Sequence, residues 1–156
     1  MYVKKVQLID LSCYFLNQVL PRGAGEKVAQ KLLIQSFEDA FEDAKREYAV
    51  TNGRIDFRIG GPNPVAIEIA VRTERGRNVL YGSQNEAELK KLARMPQSRA
   101  KMRYLLLLDN CEPPMDADDL RRTYDNVTPH SLGLASVSPV CVVYVNRHGC
   151  DDFLWH

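Results

Sequence analysis

The sequence predicts a single mixed α/β domain over residues 1–156, with helices packed on a sheet. Three observations carry this. Residues 54–72, RIDFRIGGPNPVAIEIAVR, alternate apolar and other residues on both sides of Gly60-Gly61-Pro62-Asn63-Pro64, turn chemistry that continues neither strand. Upstream, apolar residues recur at helical spacing from about Glu26 to Tyr48. Downstream, a helical stretch leads into Tyr104–Leu108, YLLLL, a continuous apolar run suited to a strand buried on both faces. A chain of 156 residues is long enough for a two-layer core.

Composition narrows the class. At 45% hydrophobic and 26% charged residues, with no repeat or low-complexity tract, the chain reads as an ordinary globular domain. A net charge of +1 argues against a uniformly basic nucleic-acid coat but allows a local basic face. Lys4 and Lys5 precede a partly apolar run. Gln7, Asp10, Asn17 and Gln18 interrupt it, no small-residue cleavage site follows, and nothing approaches a membrane span. Cys13, Cys111, Cys141 and Cys150 form no C-x-x-C, so free thiols in a cytoplasmic protein are expected. Cys141, His148 and Cys150 fit no common zinc spacing.

In chain order, Val6, Ile9, Cys13, Leu16 and Leu20 predict an amphipathic helix ended by Pro21-Arg22-Gly23. The second helix carries the stripe Leu33, Ile34, Phe37, Ala40, Phe41, Ala44 and Tyr48. Glu38 lies on its edge, while Asp39, Glu42 and Asp43 point to solvent. In the hairpin, Ile55, Phe57 and Ile59 share a face with Val65, Ile67, Ile69 and Val71. Asp56 and Glu68 take the other face, among Arg54, Arg58, Ala66, Ala70 and Arg72. A turn centred on Pro62 pairs residues whose numbers sum to 124, which sets Asp56 across from Glu68. Carboxylates so opposed stand roughly 5 Å apart at Cβ and repel. The pair needs a cation, either a metal ion or the diagonal arginines Arg54 and Arg58.

Residues 72–78 read as a solvated loop. Ser83-Gln84-Asn85-Glu86 has the pattern of a capping box. The helix it opens turns Ala87, Leu89, Leu92 and Ala93 inward and Lys90, Lys91 and Arg94 outward, until Pro96 stops it. Strand, helix, buried strand is a crossover unit, so the strand at 104–108 is expected parallel to the second hairpin strand. A short helix from Asp116 to about Tyr124 and a strand at Val140–Val145 follow. The tail CDDFLWH predicts no regular element, and residues 111–156 suggest no function.

Helix, strand hairpin, helix and parallel buried strand, over about residues 26–109, resemble the restriction-endonuclease-like core of the PD-(D/E)XK nuclease superfamily. An N-terminal helix and a C-terminal helix-strand extension flank it. The stretches Gly53-Arg54-Ile55-Asp56-Phe57 and Ala66-Ile67-Glu68-Ile69-Ala70 carry the resemblance. It implies a divalent-metal-dependent nuclease that hydrolyses DNA phosphodiester bonds. Asp56, Glu68 and the Ile69 carbonyl would hold Mg²⁺ or Mn²⁺, with Glu38 as an added helix carboxylate and Gln84 or Asn85 as a polar neighbour. The chain departs at Ala70, where the family places a lysine. Lys90 or Lys91 would supply the missing amine, or Arg54, opposite Ala70, would fill the space. Arg54, Arg58, Arg72, Gln84, Lys90 and Arg94 would hold the DNA backbone.

Two other readings stand beside this one. In the first, Ala70 marks a nuclease-like domain that has lost catalysis and binds nucleic acid or a protein partner. In the second, an unrelated α/β protein neutralises its carboxylates with arginines. Whether the chain is an enzyme and whether it forms a homodimer stay open at this level.

Overall fold

The computed structural model describes residues 5–50, 53–76, 78–135 and 138–156. Lys4, noted above in the N-terminal run, and Arg77, within the loop read over 72–78, lie outside the described residues. Among the described residues six strands form one sheet in chain order: β1 (Ala44–Val50), β2 (Gly53–Ile59), β3 (Val65–Arg72), β4 (Met102–Asp109), β5 (Val140–Asn146) and β6 (Gly149–Trp155). β3, β4 and β5 are parallel, and antiparallel strands flank them on both sides.

Helices cover both faces, giving three layers instead of two. α1 (Lys5–Tyr14), its π-helical extension Phe15–Val19 and α2 (Glu26–Ala40) bury Leu8, Phe15, Leu33 and Phe37 against Phe57, Ile67, Leu106 and Val143. On the other face α3 (Glu86–Arg94) and α4 (Ala117–Asp125) bury Leu89, Leu92, Leu120 and Tyr124 against Ala66, Leu105, Leu107 and Val142. β4 alternates its side chains between these two cores, which is why its sequence is apolar without a break. Among the described residues no helix is long and apolar enough to cross a membrane.

Four expectations need correction. The helix expected over 26–48 ends at Ala40, and Ala44–Val50 is the edge strand β1. Phe41 and Ala44 continue the helical spacing, but pairing with β2, from Ala44–Ile59 to Val50–Gly53, satisfies this backbone in a ladder instead. On α1 the buried side chains are Leu8 and Ser12, followed by Phe15, Leu16 and Leu20, while Val6 is exposed. That helix offers apolar residues on several faces, and the bulkier Leu8 and Phe15 take the core. The capping box does not form. Gly82–Gln84 is a 3₁₀ turn, Ser83 is exposed, and Asn85 precedes α3 without capping it. Gly82 fixes this turn: a Cβ there would lie 2.4 Å from the Thr123 carbonyl oxygen of α4. The tail, finally, is not irregular but forms β6 against β5.

The parallel β3–β4 pairing agrees with the crossover expectation, from Val65–Met102 to Arg72–Asp109. The hairpin register agrees beside the turn, with Phe57–Ile67, Arg58–Ala66 and Ile59–Val65 each summing to 124, but the ladder stops short of the expected Asp56–Glu68 pair.

Candidate active site at the fork between β2 and β3

β2 and β3 pair over only three residue pairs and then part. The fork opens where Asp56 stops behaving as a strand residue. Its Oδ2 accepts a hydrogen bond from the Ile69 backbone N–H at 2.7 Å, taking the place a strand partner would have held. That in-plane reach turns β2 over. Phe57 and Ile59 pack with the α1/α2 core, whereas Ile55 packs with the α3/α4 core, so the three do not share a face as expected. β1 registers the same twist: between the pairs Arg46–Phe57 and Tyr48–Ile55, Glu47 takes φ +52°, a conformation side-chain-bearing residues rarely adopt.

The fork forms one end of a cleft of about 550 Å³. Leu33 and Ile34 of α2, Arg46 and Glu47 of β1, Asp56, Glu68, Ile69 and Ala70 of the hairpin, and Asn85, Glu88 and Lys91 near or on α3 line it. Glu68 projects from β3 toward α3 and is only 3% exposed. Lys91 reaches it from α3: Nζ stands 3.1 Å from Glu68 Oε1 and donates to the Arg54 carbonyl oxygen at 2.8 Å. The Lys91–Glu68 approach is an ion pair without the alignment of a hydrogen bond, and Oε1 is left without a hydrogen-bond partner.

This environment is hard on negative charge. Burial, then the Asp56 charge, pushes the Glu68 carboxyl up to about 8, with Lys91 pulling the other way. Burial also raises Asp56, against the Ile69 amide, the Glu68 carboxyl and Lys91. Glu88, three residues before Lys91 on α3, adds a further carboxylate whose Oε2 is buried without a hydrogen-bond partner.

The donor chemistry fits a hard divalent cation. In a strand, a residue's N–H and C=O lie on the same edge, so the Ile69 carbonyl faces the fork into which its N–H donates. Two carboxylates and a carbonyl then converge on one opening. Among the described residues no three Asp, Glu, His or Cys side chains form a ready-made ligand cluster. An ion here would complete its shell with water and phosphate oxygens, as Mg²⁺ commonly does.

The other expected site residues divide sharply. Of the two candidate amines, Lys91 enters the cleft, while Lys90 faces a neighbouring groove with Arg94. Arg54 does not fill the space beside Ala70; it is exposed and turned toward Glu47 of β1, at 3.8 Å. Arg58 donates to the Arg99 carbonyl at 2.9 Å, and the cation that stands beside Glu68 is Lys91. Arg72 is not available to a DNA backbone: it is 8% exposed and forms a two-bond fork with Asp109 at 2.9 Å each. Asp109 also accepts from Tyr144 Oη, Cys111 N and Met115 N, so this buried cluster is satisfied internally. Glu38 is exposed and outside the cleft lining, twelve residues or about 18 Å along α2 from Glu26, which does line it. Gln84 is exposed and also outside the lining, whereas Asn85 is buried within it.

Arg46, Glu47 and Glu88 were missed. The first two sat on residues read as helix. Glu88 carries no signal in the sequence beyond its position three residues before Lys91 on α3. His148 takes no part, pairing instead with Glu112 at 2.9 Å. Compared with family models, curated proteins and solved structures, the chain matches none.

Proposed function

We propose that this chain is a divalent-cation-dependent nuclease that hydrolyses DNA phosphodiester bonds, built on a restriction-endonuclease-like core. One observation carries the reading: Asp56 and Glu68, from neighbouring strands, meet at a strand fork with the amine of Lys91 beside them. The order α2, β1, β2, β3, α3, β4, with β3 and β4 parallel, supports the same core.

A Mg²⁺ or Mn²⁺ ion held by Asp56, Glu68 and the Ile69 carbonyl would supply charge to neutralise a phosphate and acidify the attacking water. The chain's own residues do the rest. The Ile69 amide holds the Asp56 carboxylate in the fork. Lys91 takes the role of the lysine absent at Ala70, its ammonium hydrogen-bonding the phosphate oxygens as charge builds on them. Arg46, on the β1 wall of the cleft, adds positive charge for the DNA backbone.

A second reading has its own support. Lys91 already balances Glu68, and Ala70 leaves the family position without an amine, as in a domain that binds nucleic acid or a protein without cutting. Calorimetric titration of Mn²⁺ separates the two. A nuclease gives a binding heat that disappears in Glu68→Ala, together with Mn²⁺-dependent cleavage of DNA by the wild type. No heat in the wild type, with DNA binding indifferent to the ion, would establish the second reading.

A further inference from the structure

Beside the carboxylate cleft lies a second cavity, of about 1010 Å³. Val50 and Gly53 line it from the β1–β2 end, Ala87, Lys90, Lys91 and Arg94 from α3, and Met95, Pro96 and Arg99 from the segment after α3. Its charge is one-sided: four cations and no carboxylate among the described lining residues. Lys91 is the one described residue that lines both cavities, and its amine stands 3.1 Å from Glu68 Oε1.

Local structure holds the groove in shape. Gly53, at φ +141°, adopts a backbone that favours glycine, and a Cβ there would sit 3.7 Å from Lys91 Cδ. The lysine stem therefore passes close over the start of β2 before its amine reaches the Arg54 carbonyl and Glu68. The far rim is pinned by two guanidinium groups: Arg103 donates to the Met95 carbonyl and Arg58 to the Arg99 carbonyl.

We propose that this groove binds a single strand of DNA and feeds it past Lys91 to the Asp56–Glu68 cleft. This rests on the nuclease reading and makes unpaired DNA the preferred substrate. Two features favour one strand over a duplex. Val50, Ala87, Met95 and Pro96 give the groove an apolar surface, and base faces can meet such a surface only when they are not stacked inside a duplex. Lys90, Lys91, Arg94 and Arg99 lie around that same surface, where they can follow a strand's phosphates while its bases lie against the floor. With no aromatic ring in the described lining, base contact is apolar and sequence-tolerant, and phosphate charge sets the affinity.

The test is fluorescence anisotropy with a labelled oligothymidylate and a duplex of equal length, in EDTA, over a series of salt concentrations. Wild type is compared with Arg94→Ala/Arg99→Ala and with Lys27→Ala/Lys31→Ala. All four positions are exposed, and the second pair removes equal charge from α2, outside the groove. The wild type is expected to favour the single strand by about tenfold or more, with a log–log salt slope that falls by about 1.4 in the groove variant, roughly 0.7 per lost phosphate contact. The α2 variant should keep both the preference and the slope. Equal or tighter duplex binding, or a groove variant indistinguishable from the α2 variant, overturns the proposal. If single-strand binding holds while Mn²⁺ binding and cleavage are absent, the nuclease reading fails and the strand groove stands. If Mn²⁺ binding and cleavage hold but the duplex is preferred, the groove proposal alone fails.

Discussion

Lys91 Nζ stands 3.1 Å from Glu68 Oε1, joining an α3 residue to a β3 residue across the mouth of the strand fork. The position on β3 two residues after Glu68 is Ala70, which has no amine to offer. The helix therefore delivers to Glu68 the charge that the strand lacks.

This relationship makes Lys91 separable from its neighbour. Lys91→Ala should lower Mn²⁺-dependent cleavage by about a hundredfold or more, the scale of losing one group that stabilises transition-state charge. Lys90→Ala, which alters the groove alone, should change it only a few fold. Ala70→Lys combined with Lys91→Ala should recover part of the loss by returning an amine from the strand. Equal effects of Lys90→Ala and Lys91→Ala in a single-turnover cleavage assay would remove Lys91 from the site.

Burial of Glu68 beside Asp56 gives the fold a pH dependence whose sign follows from its raised carboxyl. Its ordinary value of 4.5 rises to about 8 in the folded chain. Between those values the folded state keeps a proton that the unfolded state releases. The stability is thus fully present below about 4.5 and is lost as pH rises through about 8. Urea unfolding should show wild-type stability falling by a few kcal/mol across this window. Glu68→Gln should flatten that fall and raise Tm on the alkaline side, by about 2–4 °C per kcal/mol. Mn²⁺ affinity should run the opposite way, strengthening with pH up to about 8 because the ion needs the deprotonated carboxylate. A Glu68→Gln variant with the same pH profile as wild type would contradict this.

Asp56 serves both the backbone and the site, and two substitutions separate these roles. Asp56→Asn keeps an acceptor for the Ile69 N–H, so it should unfold near the wild-type temperature while losing Mn²⁺ binding. Asp56→Ala should also lose the ion, and leaving the Ile69 N–H unpartnered should cost a further 1–3 kcal/mol, by the usual rough scale for a buried donor. Thermal unfolding and calorimetry on the two variants read these effects independently.

The Arg72–Asp109 fork should matter for stability and not for DNA. Arg72→Ala leaves Asp109 buried, with its charge unopposed by a guanidinium. The expected loss is roughly 3–5 kcal/mol, or a Tm lower by about 6–20 °C. DNA affinity measured below the new Tm should be unchanged. A selective loss of affinity with intact stability would return Arg72 to the DNA-facing set.

Much of this molecule was legible from its residues. Alternation along β3, the sum-to-124 register next to the turn, the doubly buried β4 and its parallel pairing to β3 all follow from side-chain period and turn chemistry. The pairing of Asp56 with Glu68 as a candidate site followed from that register. Where local pattern had two solutions, it misled. Residues 44–50 carry helical spacing but pair as a strand, because β2 offers them a ladder that no local propensity records. Ser83–Glu86 has the letters of a capping box, but Gly82 must approach the α4 backbone and draws the segment into a 3₁₀ turn.

The sequence by itself determined the α/β class, the hairpin, its register beside the turn, and Asp56 and Glu68 as the carboxylates to watch, because periods and turns act over neighbouring residues. Only the tertiary structure decided which charges meet. Lys91 and not Lys90 reaches Glu68, Arg72 turns inward to Asp109, Arg54 turns away to Glu47, and Glu38 stays outside the cleft. Each outcome depends on how helix and strand are set against one another in space, where one residue's rotation along α3 moves an amine from the groove into the carboxylate cleft.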